Sequence, residues 1–392
     1  LEKSINNRYY LDYNATSPLA DKVKTFLGKG DFLFGNPSSI HQTGKASRKK
    51  INETIDFLYK TFSLSPDEYS LYFHSGATEG INTYFKGIAL KHFKEKIPST
   101  FIFSNLDHSA VMSLEEDLIS LGHEVVYFST DKNSEFDLSE LIKLIQRKEV
   151  DGKKVFLNFT VINNETGVVW PLTLAEAIKD STDCQVHVDA VQLVGKIENW
   201  KNLSSKLDVY NFSAHKFGAL KGIGFTFIKK SSEFKSLLTG GNQQDGYRSG
   251  TENALGVYSV KLALEEMLEF EPKNLRELKN DLQKNLESEF GDKLVFVNKN
   301  SKATNVNTLF LIVKDSKADQ ISMLFDLAQI DISTGSACSS GIFKENRILK
   351  NLGYDSLLSL SGLRISLGPS NLLIQKEELF DRVVRVIKKL SH

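Results

Sequence analysis

The chain has 392 residues, enough for two lobes with separate cores, and at 41% hydrophobic and 25% charged it has the make-up of a globular protein. Its 49 Lys and Arg balance 49 Asp and Glu, so no net charge draws it to nucleic acid or an anionic membrane. Two cysteines, Cys184 and Cys338, cannot build a disulfide framework or a paired-cysteine zinc site. Scarce thiols suit a reducing compartment, and a cytoplasmic protein is expected. No apolar run approaches bilayer length, and the start, LEKSINNRYYLDYNA, lacks a signal-like apolar core.

In chain order, YSLYFHS (Tyr69 to Ser75) predicts a strand and ATEGINTYFKGIALKHF (Ala77 to Phe93) the helix after it. TFIFS, HEVVYF, VFLNFTVI, QVHVD and DVYNFS repeat the theme, with helices between most of them. Strands with nearly continuous apolar character, separated by helices, imply an α/β fold with a mainly parallel sheet covered on both faces. From about residue 255 to residue 290 runs one long Glu/Lys-rich helical stretch, leading to a smaller α+β part. That part has strands at LVFVN, TLFLIV and LRISL and helices near 317–328 and 375–390.

In parallel sheets ligands bind at the carboxyl ends of the strands. After the first strand, Gly76, Ala77 and Thr78 open a helix; they suit an ordinary helix cap or, with bare N–H groups and a hydroxyl, a phosphate cradle. The next strand end carries His108. Asn163, Asn164 and Glu165 follow another, as turn formers or ligands. Asp189 ends a buried strand, with Gln192 three residues on; a carboxylate at that depth calls for a cationic partner. Ser213, His215 and Lys216 end the last of the series. The glycines of GALKGIG follow, without the Gly-Lys-Ser/Thr end of a nucleotide loop. His187 and Asp189 share a strand face with no third ligand nearby in sequence, so no metal site is expected. A lysine, a buried carboxylate and a phosphate cradle at one sheet edge fit pyridoxal phosphate.

The blocks YLDYNATSPL, GNPSSIHQTG, SGATEG, DHSAV, NNETGVV, HVDAVQLVGK, SAHKFGALKGIG, GGNQQDGYRSGTEN, STGSACSSG and GLRISLGPS run in this order over almost the whole chain. With them the sequence resembles the NifS/IscS-type cysteine desulfurases of aminotransferase class V. The resemblance implies a pyridoxal-phosphate-dependent transferase of fold type I. Its large domain, with a mainly parallel seven-stranded sheet, would span residues 20–262. A smaller α+β domain would combine residues 1–19 and 263–392 and carry the Cys338 loop.

The resemblance also implies roles. Lys216 would hold the cofactor's aldehyde covalently, and Ala77, Thr78, Ser213 and His215 its phosphate. Thr251 would reach the phosphate of a neighbouring subunit, which makes the protein a homodimer. Asp189 would pair with the pyridine nitrogen, Gln192 would contact the phenolic oxygen, and His108 would stack on the ring and move protons. Asn164 and Arg364, with Asn36 nearby, would bind the carboxylate of L-cysteine. Cys338 would take the sulfur as a persulfide, for a sulfur-acceptor protein in iron–sulfur cluster or thio-cofactor synthesis. Cys184, in the turn before a core strand, reads as a small buried apolar residue. Asp107, Ala219-Leu220 and Gln243-Gln244 depart from the family's pattern, at positions expected on the periphery of the chemistry. Rival expectations are a selenocysteine lyase or another class V aminotransferase, and a catalytically silent sulfur-assembly scaffold.

Overall fold

The computed structural model describes residues 8–30, 32–334 and 345–390. Seven strands form the main sheet: β1 (Tyr69–His74), β2 (Ser99–Ser104), β3 (Glu124–Phe128), β4 (Lys154–Thr160), β5 (Gln185–Asp189), β6 (Val209–Ser213) and β7 (Gly224–Lys229). Their order is β1-β7-β6-β5-β4-β2-β3. Only β7 runs antiparallel to its neighbours. The carboxyl ends of β1, β2, β4, β5 and β6 therefore share one edge. Every residue of β2 and β6 is buried, which is why these strands read as continuous apolar runs. Phe212 and Phe225 stack at 4.6 Å between centroids across β6 and β7, with Phe62 of helix α1 (Gln42–Phe62) 5.0 Å from Phe212. Each such buried side chain stabilises the fold by about 1.5–3 kcal/mol.

Helix α2 (Ala77–Glu95) follows β1 and lies close on the sheet. Gly80 permits this: a Cβ there would stand 2.1 Å from Asn211 Oδ1. The expected single helical stretch from 255 to 290 is two helices, α3 (Ala254–Glu269) and α4 (Pro272–Phe290). Proline at the first position of α4 drives the residue before it out of helical geometry, and Glu271 is extended (φ −101°, ψ 100°).

A second sheet follows, antiparallel, with β8 (Leu294–Phe296), β9 (Thr308–Val313), β10 (Ser333–Thr334) and β11 (Gly362–Ser366) in the order β10-β11-β9-β8. Its own apolar cluster includes Leu282, Leu311, Ile321, Leu363 and Val383. The segment 330–334 is divided between two pairings: Ile330–Asp331 pairs in parallel with Tyr9–Tyr10, while Ser333–Thr334 joins β11. The early segment 9–16 thus runs beside the second sheet and on to the carboxyl edge of the first.

Candidate active site

A cavity of about 420 Å³ opens at that edge. Ala77 and Thr78 after β1, His108 after β2, Asn164 after β4, Asp189 and Gln192 at β5, and Ser213, His215 and Lys216 after β6 all line it. Residues far apart in sequence meet because each follows a strand pointing the same way.

One end suits an anion. The first N–H groups of α2 have no acceptor inside the helix, and the helix dipole is positive there. Among the described residues the hydroxyls of Thr78 and Ser213 have no protein partner. Asn211 Nδ2 donates to Ala77 O at 3.0 Å and seats the helix start on β6. The one acid in the first turn, Glu79, is neutralised locally: Arg248 Nε donates to it at 2.9 Å and Ser75 N at 2.8 Å. His215 pairs through Nδ1 with Thr16 Oγ1 at 3.0 Å. Burial, then the charges of Lys216, Lys221 and Lys196, hold its pKa down to about 4, so it is neutral near pH 7.

Deeper in, Asp189 is 5% exposed and has one donor from the protein, Val191 N at 3.0 Å. Burial pushes its pKa up to about 6. A dry carboxylate so poorly bonded is stable as an anion only beside a cation. Lys216 Nζ donates to Asn14 O at 2.9 Å and Ala15 O at 2.7 Å. Desolvation first, and the Arg364 charge second, lower its pKa to about 8. About a tenth of it is therefore free amine at pH 7, far more than for an ordinary lysine. Donors for a phosphate, an under-bonded acid for a protonated ring nitrogen and a low-pKa amine for an aldehyde fit pyridoxal phosphate.

His108 is solvent-accessible, yet it lines the cavity among protein atoms that crowd it. This partial dehydration, then the charges of Lys216 and Arg347, lower its pKa. Its Nδ1 accepts Ala110 N at 3.1 Å, so the neutral ring carries its proton on Nε2.

Other expected residues stand elsewhere. Arg364 does not line the cavity. It donates to Asn164 O (3.0 Å), Asp12 Oδ1 (2.8 Å) and Ser333 Oγ (2.8 Å), while its buried Nε has no partner. Asn36 and Thr251 are exposed and off the cavity. Cys338 lies outside the described residues. Cys184 is buried, and burial raises its thiol pKa far above the usual value. His187 Nδ1 pairs with Asn158 Oδ1 at 2.8 Å, and burial lowers its pKa to about 3. Among the described residues no His, Cys, Asp and Glu side chains cluster to hold a metal ion.

The departures from the family pattern stay off the cavity wall: none of Asp107, Ala219, Leu220, Gln243 and Gln244 lines it. Asp107 is buried and accepts Ser104 N at 3.0 Å and Thr160 Oγ1 at 2.7 Å; burial raises its pKa to about 7. Gln244 caps the outer edge of β1, exchanging bonds with Phe73 N (2.6 Å) and Phe73 O (3.0 Å). Ala219 is core, and Leu220 N donates to Ser259 Oγ of α3 at 3.2 Å.

Two further residues, Asn14 and Lys196, belong to the site without having stood out in the sequence. Asn14, 1% exposed, donates to Asn164 O and Thr308 Oγ1 and accepts Gln192 Nε2 at its carbonyl oxygen. Lys196, 5% exposed, donates to Asn14 Oδ1 at 3.0 Å and to Gln192 Oε1, and burial takes its pKa well below the usual lysine value. Both lie inside blocks that carry the resemblance. A lysine four residues after a site glutamine in an apolar stretch is a signal that could have found the second.

A mainly parallel seven-stranded sheet with this site at its carboxyl edge is the type I fold of pyridoxal-phosphate-dependent transferases. The chain belongs to the aminotransferase class V family, whose model matches residues 9–378. It is 33% identical to the cysteine desulfurase IscS of Dictyoglomus turgidum, covering 97% of this chain and 95% of that protein. It is 32% identical to the IscS of Buchnera aphidicola, over 98% and 93%. A solved NifS-like protein superposes with a TM-score of 0.84 at 28% identity, over 98% of this chain and 99% of that one. A NifS-like protein from Rickettsia africae shares the fold with the same TM-score at 23% identity, over 98% and 99%.

Proposed function

We propose that the chain is a pyridoxal-phosphate-dependent cysteine desulfurase that converts L-cysteine to L-alanine and passes the sulfur to Cys338. The observation that carries this is the pairing, in one cavity, of an amine with pKa about 8 (Lys216) and an under-bonded buried acid (Asp189). When bound, pyridoxal phosphate supplies an electron sink for charge developing at the substrate's α-carbon. The start of α2, Thr78, Ser213 and His215 would hold its phosphate, Asp189 its ring nitrogen, Gln192 its phenolic oxygen and Lys216 its aldehyde.

The chain's own residues do the rest. Lys216, as free amine, takes the α-proton, and the carbonyls of Asn14 and Ala15 hold it in reach. His108 would face the bound ring and donate a proton from Nε2. Arg364 binds the substrate carboxylate through its fork once it exchanges Asp12 for the ligand. Asn164, whose backbone is bonded to Arg364, would help, and Asn36 would close the same end. The Cys338 thiolate forms an S–S bond to the substrate sulfur as the C–S bond breaks. The electron pair of that bond goes to carbon, which is reprotonated, and Cys338 keeps the sulfur as a persulfide for an acceptor protein of iron–sulfur or thio-cofactor synthesis.

Thr251 lies off its own chain's cavity, as a residue serving a second subunit's phosphate requires. Beside Asn36, Phe34 and Ile40 are 87% and 89% exposed, which favours a homodimer covering them. Large and small domains would divide at residues 19/20 and 262/263. No helix among the described residues is long and apolar enough to cross a membrane, and a cytoplasmic place belongs to the same proposal.

The test is turnover of L-cysteine by protein loaded with the cofactor, reading alanine and the mass of the Cys338 peptide. Stoichiometric alanine with one added sulfur on that peptide is expected, and both should vanish in Cys338→Ser. Alanine production that survives the substitution overturns the role of Cys338.

A further inference from the structure

The loop that delivers His108 from β2 is held by side chains at every carbonyl. Asn105 O accepts Arg347 Nη1 at 2.7 Å and Asn351 Nδ2 at 2.6 Å. Leu106 O accepts Asn163 Nδ2 at 2.9 Å. Asp107 O accepts Arg347 Nη2 at 2.5 Å. From the inner side the Asp107 carboxyl group ties the same loop to Ser104 N and Thr160 Oγ1. His108 comes next, and its ring is set by the bond from Ala110 N to Nδ1.

Arg347 opens helix α5 (Arg347–Asn351), which is itself well anchored. Asn346 caps it through Leu349 N at 3.0 Å and donates to Glu165 Oε2 at 2.7 Å; Ile348 and Leu349 are buried. The guanidinium has no ion-pair partner among the described residues; it bonds to two carbonyls two residues apart. A planar fork can fix the spacing of two such acceptors, which a lysine's single ammonium cannot do. An unpaired cation in this place also favours the neutral form of the adjacent imidazole.

We propose that Arg347 is a positioning residue for His108: its fork sets the loop 105–107 so that the imidazole stands at the cavity. This rests on the reading of His108 as a group of the active site. The charged groups around the ring are Lys216 from the end of β6, Arg347 from α5 and the titratable Asp107 beside it.

The test compares holoenzyme carrying Arg347→Ala, which loses fork and charge, with Arg347→Lys, which loses only the fork. Cysteine turnover gives kcat and KM. Histidine NMR, with His108→Gln assigning the signal, gives the His108 pKa without relying on turnover. Both variants should lose about tenfold in kcat, as expected for a displaced catalytic group, with KM within twofold. The His108 pKa should rise slightly in Arg347→Ala, because burial and Lys216 still hold it down, and stay unchanged in Arg347→Lys. Unchanged kcat and pKa in Arg347→Ala overturn the proposal. So does an effect confined to KM, or failure of both variants to fold, which assigns Arg347 to the scaffold. Unaltered protein that titrates His108 low yet does not turn over cysteine overturns the desulfurase reading and leaves this one standing.

Discussion

On the side built from the strand ends of the seven-stranded sheet, Thr78, Ser213 and Asp189 keep polar atoms that no protein group uses. On the side of the second sheet, Arg364 is already bonded to Asn164, Asp12 and Ser333. The first side is ready for a ligand of fixed shape. The second must exchange an internal partner, Asp12, for an incoming carboxylate. The difference teaches that cofactor binding and substrate binding make separate demands: desolvated, under-bonded groups in one, and a competed ion pair in the other.

The comparison breaks most visibly at Lys216. Lys216→Ala should cut cysteine turnover by about 10³-fold or more, since one group holds the aldehyde and moves the α-proton. Its thermal stability should hold or rise, because a desolvated amine is removed. Steady-state rates with a melting curve check both.

Asp189 tests whether the first side is strained without its ligand. Its folded pKa of about 6 exceeds the ordinary 3.8, so the folded state holds this proton more tightly. Stability should therefore be unaffected below about pH 4 and fall as pH rises towards 6, by roughly 3 kcal/mol at most. Asp189→Asn in cofactor-free protein should abolish that share of the slope. Denaturant titrations between about pH 3.5 and 7 would read it, against the similar slope that Asp107 adds up to about pH 7.

Arg364 tests the second side. Arg364→Lys should raise KM for cysteine by about 10- to 100-fold, with a smaller change in kcat, because the fork is lost and the charge kept. Asp12→Asn should move KM the other way, severalfold, by releasing the guanidinium. If neither variant moves KM, the contrast between the two sides is wrong.

The smallest effect is expected at Lys196. Lys196→Met should weaken cofactor binding by about threefold, since Gln192 loses the donor that orients its amide. Stability should stay within about 1 kcal/mol, because the buried amine it removes is costly to desolvate. Cofactor titration by absorbance and a urea melt check it.

Much of this is legible in the chain. Short apolar runs such as TFIFS and VFLNF suit only strands buried on both faces, and a parallel sheet puts the residues after each of them on one edge. Lys216, Asp189, His108 and Ser213 need no more than that rule to be found. The break at Pro272 is also written in the sequence, but the helical period continues on both sides and hides it. Asn14 and Lys196 are hidden for a different reason. Their meaning lies in bonds to partners such as Gln192, 178 residues from Asn14; the apolar stretch around Lys196 signals its burial but not its partners. The bonds of Arg347 to Asn105 and Asp107, and of Arg364 to Asp12, are of the same kind. Sequence determines which residues end the strands, because period and polarity are local properties of a chain. Only the tertiary structure decides which of their polar atoms are already spent, because a hydrogen bond depends on where two distant segments come to rest.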